Sequence, residues 1–126
     1  MQLSSPMSEA LGRYLDLASD QMKLTAANMA NVDTPGYKTE GFDFEQEFAR
    51  QVNATPQPLE MAGLDGLEPQ VSVVAGLVAR PDGNNVSMDR EGLELAKAQL
   101  RFRLGVQLLK GEFAQVMSAI HASDGK

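Results

Sequence analysis

Cysteine and tryptophan are absent from the sequence, and His121 is its single histidine. Without cysteine the chain has no disulfide, no thiol nucleophile and no thiolate metal ligand. No second ligand type accompanies the histidine, and its place near the end of a predicted helix favours a capping or solvent-exposed role. We therefore expect no metal ion and no cofactor.

Motifs of common enzyme classes are also missing. The sequence has no phosphate-binding glycine loop, no dinucleotide fingerprint and no nucleophile elbow. Residues 82–89 resemble a calcium loop only loosely, because the glycine at its sixth position is absent, and a hairpin turn is favoured there. Asp43, Glu45 and Glu47 alternate with aromatic residues, which favours a solvated face over paired acid–base catalysis. The chain is predicted not to be an enzyme.

Membrane spans and nucleic-acid surfaces are not predicted either. No run approaches the roughly 20 apolar residues that a membrane helix needs. The net charge is −6 and the isoelectric point is near 4.7, whereas phosphate binding needs concentrated lysine and arginine. The first residues have no basic start and no apolar core, so we expect no ordinary secretory signal peptide. Export from the cytoplasm would need another machine.

The first 33 residues predict one helix. Ser5 is a candidate N-cap and Pro6 a candidate first helical residue, since its missing N–H is no loss there. Pro35 and Gly36 end the helix by disfavouring helical geometry and allowing a turn. Gaps of three and four define one apolar stripe. Its members are Leu11, Leu15, Ala18, Met22, Thr25 or Ala26, and Met29.

The last segment predicts a second helix, from about Asp89, its candidate cap, to about His121. Gly105 and Gly111 lower its helix propensity, which a close approach by a neighbour would explain. Its first apolar stripe has heptad spacing and comprises Leu95, Ala98, Phe102, Gly105, Leu109, Phe113, Val116 and Ile120. A second stripe comprises Leu93, Ala96 or Lys97, Leu100, Leu104 and Leu108. Two stripes imply two sets of neighbours, and a helix of ~33 residues, roughly 50 Å long, exceeds a compact domain of this size.

The middle of the chain holds the acidic excess and many of the turn formers. Phe42 and Phe44 have the spacing of a short strand, whereas Phe44 and Phe48 have helical spacing, and the sequence does not decide between them. Residues 53–70 predict a flexible loop. Residues 71–78 predict a strand that pairs, after a turn at 81–85, with residues 86–88 as a hairpin. We divide the chain into an N-terminal helix (1–34), an insert (35–88) and a C-terminal helix (89–126).

Residues 27–37 read Ala-Asn-Met-Ala-Asn-Val-Asp-Thr-Pro-Gly-Tyr. On physical grounds alone this is an ordinary helix stop. Asn28 and Asn31 nevertheless lie on one helix face, where their amides could bond the backbone of the same or a neighbouring subunit. The run resembles the signature of the flagellar axial family, which covers rod, hook and hook-associated proteins. That signature is Ala-Asn-x-x-Asn-x-x-Thr-Pro-Gly-Tyr at the end of an N-terminal helix.

Two further segments resemble the proximal-rod members of that family. One is the Phe-Asp-Phe run at residues 42–44, and the other is the Asp-Gly-Asn-Asn-Val-Ser-Met-Asp run at residues 82–89. The short chain fits a rod protein without a large inserted domain. Phe102 and Leu109-Lys110 depart from the pattern, since those relatives often have Tyr and Leu-Asn there, and the departures bear on the subunit contacts at these positions.

The resemblance implies a mainly α fold, with the long N- and C-terminal helices packed as a coiled-coil-like pair and a short loop or β-hairpin insert between them. It implies a structural subunit of the proximal rod in the flagellar basal body, crossing the periplasm and exported by the flagellar type III apparatus. The terminal helices would order on assembly. The implied partners are further copies of the chain, FliE-type and FlgC-type rod subunits, the basal ring and the export gate. The expected subunit-interface residues are Leu11, Leu15, Met22, Asn28, Asn31, Pro35, Gly36, Tyr37, Leu95, Phe102, Leu109, Val116 and Ile120.

Two other functions remain open from the sequence. A cytoplasmic helical adaptor or export chaperone would suit the acidic, helical composition and would fold as a stable dimer. A small enzyme would use the acidic middle, and its activity would depend on Glu45 and Glu47.

Overall fold

The computed structural model describes residues 6–53 and 68–124. The chain forms helix α1 (Pro6–Ala30), strand β1 (Glu40–Gly41), helix α2 (Phe44–Asn53), strand β2 (Ser72–Val73) and helix α3 (Met88–Asp124). The predicted fold class is confirmed, because two long helices pack together and a short two-stranded pairing lies between them. The candidate cap Ser5 and most of the loop predicted for residues 53–70 lie outside the described residues.

Helices α1 and α3 pack antiparallel along much of their length. Near the end of α1, the Asn28 Nδ2 donates to Glu91 Oε2 at 3.1 Å, close to the start of α3. Towards the start of α1, a Cβ on Gly105 would lie 2.7 Å from Leu15 Cδ2. Between these points Ala98 is fully buried. Small residues on α3 therefore let the two helices approach closely.

Helix α2 completes the core, and it settles the open question about the three phenylalanines. Asp43 Oδ1 caps the helix by accepting the Gln46 N–H at 3.0 Å. Tyr14 of α1 meets Phe44 edge-on, with ring centroids 5.1 Å apart, and meets Phe48 in the same way at 5.4 Å. Arg101 of α3 lies over the Phe44 ring at 4.2 Å. This aromatic cluster joins all three helices.

The hairpin predicted between residues 71–78 and 86–88 is wrong. Strand β2 is only two residues long, and it pairs antiparallel with β1, with Glu40 opposite Val73. Gly76 then turns the chain with a φ of 84°. Asn85 instead contacts the exit from α1, because the Thr39 N–H donates to Asn85 Oδ1 at 2.6 Å, and the Val86 N–H donates to Asn84 Oδ1 at 2.8 Å.

The helix ends differ from the predicted ones by one to three residues. Helix α1 ends at Ala30 and α3 continues to Asp124. Helix α3 also begins one residue earlier than predicted, and its cap is Ser87 instead of Asp89. The Ser87 Oγ accepts the Arg90 N–H at 3.3 Å, which places the capping hydroxyl just before the first helical residue.

Gly105 and Gly111 differ in their surroundings, which gives a testable contrast within one helix. A Cβ at Gly105 would meet Leu15 and Tyr14, whereas a Cβ at Gly111 would meet nothing within 4 Å. We expect Gly111→Ala to raise the free energy of unfolding by about 0.5–1 kcal/mol through helix propensity. Gly105→Ala should gain less, because Leu15 must move. Urea unfolding of both variants measures this, and an equal gain at both positions would contradict the close packing.

Helix α3 has 37 residues and α1 has 25. At 1.5 Å per residue these lengths are roughly 55 Å and 38 Å. In the register set by Leu15 and Gly105, Pro6 lies opposite residue 114 of α3. The last turns of α3 therefore project beyond the described part of α1.

Candidate functional site

The motif at residues 27–37 shapes the chain as it leaves α1. The Asn31 side chain donates back to the Ala27 carbonyl at 2.8 Å, and its Oδ1 accepts the Thr34 hydroxyl at 3.0 Å. Gly36 follows with a φ of 76°, a left-handed geometry that favours glycine. The side chain of Asn31 thus ties the last turn of the helix to the chain that follows it, and the glycine redirects the chain.

The turn before α3 locks onto this exit. Asn84 is fully buried. Its Nδ2 donates to the carbonyls of Asn31 and Thr34, both at 2.8 Å, and its Oδ1 accepts the Val86 N–H at 2.8 Å. The Gly36 N–H donates to the Asp82 carbonyl at 2.9 Å. We call this contact between residues 31–39 and 80–86 the interlock.

Backbone proximity and a second asparagine extend the interlock. A Cβ on Gly83 would lie 3.3 Å from Gly36 Cα, so the two backbones nearly touch. The Thr39 hydroxyl donates to the Asn85 carbonyl at 3.3 Å, and the Asn85 N–H donates to the Tyr37 carbonyl at 3.3 Å. The Arg80 guanidinium donates to the carbonyl of Val32. The exit from α1 and the entry to α3 are therefore one hydrogen-bonded unit.

A buried polar cluster, centred on Asn28, lies beside the interlock. The Asn28 Nδ2 donates to the Glu40 carbonyl at 2.8 Å and to Glu91 Oε2 at 3.1 Å. Its Oδ1 accepts the Tyr37 hydroxyl at 3.0 Å and the Glu40 N–H at 3.2 Å. All four hydrogen-bonding positions of this amide are thus occupied. Glu91, itself buried, also pairs with Arg90 Nη1 at 2.6 Å.

The Tyr37 hydroxyl is held in its protonated form. Burial raises the pKa of Tyr37 above its usual value of 10.0, and the nearby carboxylates of Glu40 and Glu91 raise it further. A raised pKa in the folded state means that the phenol contributes stability below pH 10 and loses it as the pH rises through the folded-state value. Across the neutral range Tyr37 therefore remains a donor to Asn28.

The predicted interface residues of α1 and its exit fall into two groups. Leu11 is buried, and Leu15 and Met22 are half-buried. Leu15 lies against Gly105 of α3. The other five residues lie in the polar cluster or the interlock, where Pro35 and Gly36 are exposed. These five are Asn28, Asn31, Pro35, Gly36 and Tyr37. Most of this predicted set makes contacts within the chain, and its role between subunits stays a prediction.

The predicted interface residues of α3 divide differently. Leu95, Leu109 and Val116 are half-buried, whereas Phe102 and Ile120 are exposed. Beside Phe102, it is Arg101 that turns inward, donating to Gln21 Oε1 at 2.7 Å and to Glu45 Oε1 at 3.2 Å. The first apolar stripe of α3 is thus interrupted at Phe102, and Ile120 at its far end also faces solvent.

Four residues at the centre of the site were missed by the sequence analysis. Thr39, Asn84, Asn85 and Glu91 are buried polar residues. Buried positions were predicted from the spacing of apolar residues, and that spacing does not reveal buried polar side chains. The Asp-Gly-Asn-Asn run at 82–85 was the available signal, but it was interpreted as a turn and as part of the family resemblance, not as a buried contact.

The described residues contain no candidate metal centre and no candidate membrane-spanning helix. In residues 6–53 and 68–124, no group of three or more His, Asp or Glu side chains could hold a metal ion. Over the same ranges, no helix is long and apolar enough to span a bilayer. Every buried side-chain nitrogen or oxygen in these ranges has a hydrogen-bond partner. The polar cluster is therefore satisfied internally, as a structural network requires.

Comparison with known proteins assigns the family. The family model described as "Flagella basal body rod protein" matches residues 15–38, which cover much of α1 and its exit. The flagellar basal body rod protein FlgB of Borrelia hermsii is 30% identical over 82% of this chain and 87% of that protein. FlgB of Bacillus subtilis is 29% identical over 95% and 97%, and FlgB of Escherichia coli K12 is 26% identical over 87% and 89%. The chain belongs to the FlgB family of flagellar basal body rod proteins.

Proposed function

We propose that this chain, a structural subunit of the flagellar rod, joins the proximal rod through the apolar faces that α3 leaves exposed. One observation carries the proposal. Leu93, Leu100, Leu104 and Leu108 lie along one side of α3, and each is between 51% and 68% exposed. Contiguous apolar surface of this kind marks interaction sites in soluble proteins. We call these four residues the leucine stripe.

A second exposed face supports more than one neighbour. Phe102, Phe113 and Ile120 lie on another side of α3, at helical spacing, and all three are exposed. A subunit that uses two different faces makes heterologous contacts, which build open helical assemblies instead of closed dimers. This arrangement suits a tubular rod. On this basis we propose that the predicted interface residues of α3, Phe102 and Ile120 among them, contact neighbouring subunits.

The interlock would act within each subunit. By fixing how α1 ends and α3 begins, it would hold the two helices as one stiff unit while the faces of α3 contact neighbours. In the proposed three-part organisation, helices occupy residues 1–34 and 89–126 and an insert occupies 35–88. The interlock would join the two helices mechanically across the insert. The subunit would transmit torque along the rod and would have no catalytic role.

Family membership supports finer proposals about location and partners. We place the subunit in the rod where it crosses the periplasm, next to further copies of itself, to FliE-type and FlgC-type rod subunits and to the basal ring. On the same family basis we propose export through the gate of the flagellar type III apparatus, without a cleaved signal peptide. The family assignment favours this rod function over a helical adaptor or export chaperone.

Leu100→Asp tests the function. Leu100 is 68% exposed, so the variant should fold normally. A carboxylate at a buried contact costs about 3 kcal/mol, or roughly a 100-fold loss of association. We expect the cells to lose swimming and purified basal bodies to lack a rod, while the subunit is still exported. Val78→Asp, at a 90% exposed site outside the helices, is the matched control and should swim normally. Normal swimming by Leu100→Asp would contradict the proposal.

A further inference from the structure

A second apolar surface lies on the side of α1 that faces away from α3. Leu24 and Ala27 of α1 form one wall of an open groove, and Phe42 and Val71 form the other. The groove has a volume of about 340 Å³, enough to accept apolar side chains. Leu15, Gln21 and Asn28 of α1 contact α3. Residues 20, 24 and 27 lie on the other side of the same helix. We call this surface the α1 groove.

The rim of the α1 groove is acidic. Asp20 and Glu68 line it together with Lys23. Burial raises the pKa of Asp20, the neighbouring carboxylates of Asp16 and Glu68 raise it further, and only Lys23 acts to lower it. The carboxylate of Asp20 is thus short of positive charge in the isolated subunit. A cation brought by a partner would stabilise it.

The residues around the leucine stripe carry positive charge, opposite to the rim of the α1 groove. Between Leu95 and Gly111, α3 contains four basic residues and no acidic one. Lys97 pairs with Glu94 and Arg101 pairs with Glu45. Arg103 and Lys110 make no ion pair with any residue in the described parts of the chain. They lie along one edge of the leucine stripe and are available to a partner.

We infer that the leucine stripe of one copy docks in the α1 groove of a second copy, with Arg103 or Lys110 placed against the Asp20 side of the rim. The inference rests on the proposed function and names the partner of that exposed face. It joins apolar surface to apolar surface and unpaired cations to a crowded group of carboxylates. Because stripe and groove are different surfaces of one chain, each added copy presents a free surface to the next, and the assembly stays open.

Paired cysteines test this docking directly, since the native chain has none. One protein carries Leu104→Cys, in the leucine stripe, and a second, of different tagged length, carries Ala27→Cys, in the α1 groove. Position 104 lies thirteen residues beyond Glu91, which contacts Asn28, so within one chain the two sites are about 20 Å apart. That exceeds the reach of a disulfide. A cross-link must therefore join two copies.

We expect mild oxidation of the mixed full-length proteins, in concentrated solution and in purified basal bodies, to give the mixed disulfide dimer. Neither variant alone should give a dimer. Ala49→Cys, at an exposed site on α2 away from the groove, replaces Ala27→Cys in the control and should give none. A dimer from Leu104→Cys alone would mean that the stripe packs on itself and would overturn the inference. A cross-link only to a different rod subunit would also overturn it.

The same experiment separates the two proposals. If both variants are recovered in basal bodies but form no mixed disulfide, the docking is wrong and the rod function stands. If neither the variants nor the unmodified chain enters basal bodies, the rod function itself is wrong.

Discussion

Asn28→Asp is expected to lower the free energy of unfolding by about 3–5 kcal/mol at neutral pH, because it buries a second carboxylate with no cation to pair it. The change replaces the Nδ2 donor, which now serves Glu91 at 3.1 Å and the Glu40 carbonyl at 2.8 Å, with an acceptor. Two carboxylate oxygens would then face each other at hydrogen-bond distance. Urea unfolding at pH 7 measures the loss.

The pH dependence of this variant identifies the cause. Like charge and burial would raise the pKa of the carboxyl introduced at position 28 above the usual value for aspartate, about 3.9. A group with a raised folded-state pKa supports folding below its unfolded-state pKa and loses that support as the pH rises through the folded-state value. The deficit should therefore shrink as the pH falls from 7 towards about 4.

Asn31→Asp is the matched control for Asn28→Asp. It makes the same chemical change three residues later, at a half-buried position at the end of α1. There the new charge is solvated and meets the unfavourable end of the helix dipole, which costs roughly 0.3–1 kcal/mol. The side-chain bond to the Ala27 carbonyl that it loses is exposed, and that carbonyl keeps the Asn31 N–H as a donor at 3.1 Å. Equal losses at the two positions, or a loss at position 28 that does not change with pH, would contradict the buried-cluster account.

Asn84→Ala should also be strongly destabilising. The buried amide of Asn84 donates to the carbonyls of Asn31 and Thr34 and accepts the Val86 N–H. Truncation leaves these backbone groups without their partner, at about 1–3 kcal/mol for each one that water does not reach. We expect a total loss of roughly 3 kcal/mol, measured as a lower urea midpoint with an unchanged slope.

Asn53→Ala is the control for Asn84→Ala. Asn53 is the exposed last residue of α2, and surface changes of this kind alter stability by less than about 0.5 kcal/mol. If Asn84→Ala is as mild as this control, the interlock does not stabilise the fold. If it lowers the slope as well as the midpoint, the interlock unfolds separately from the helices.

The sequence predicts the long helices well, because their signals are local or periodic. Pro6 and Gly36 flank α1, and Leu15 of its apolar stripe lies against Gly105 of α3. The second stripe of α3 predicted an unsatisfied face, and Leu100 is exposed accordingly. Propensity and periodicity agree in these segments, so the local pattern is sufficient.

The middle of the chain was harder to predict because its contacts are distant in sequence. Ser72 pairs with Gly41 across 31 positions, whereas the sequence favoured the nearest available strand as its partner. Asn84 and Asn85 have the composition of a solvated turn, but their burial depends on carbonyls and N–H groups from residues 31–39. These hydrogen bonds can be predicted only when the positions of the distant backbone groups are known. The expectation that the terminal helices order only on assembly stays a prediction.

The interlock also closes a loop. Thr39 accepts a hydrogen bond from the Val74 N–H at 2.9 Å, and Arg80 donates to the Val32 carbonyl, so residues 75–79 leave and rejoin the exit from α1 at one place. The entropy of closing such a loop grows only with the logarithm of its length, about 0.6 kcal/mol for each doubling. Insertions beside Val78, which is 90% exposed, would therefore leave the helix pair almost unchanged in stability. The subunit has in this segment a position where evolution, or an engineer adding a tag, can lengthen the chain without rebuilding the surfaces that α3 presents.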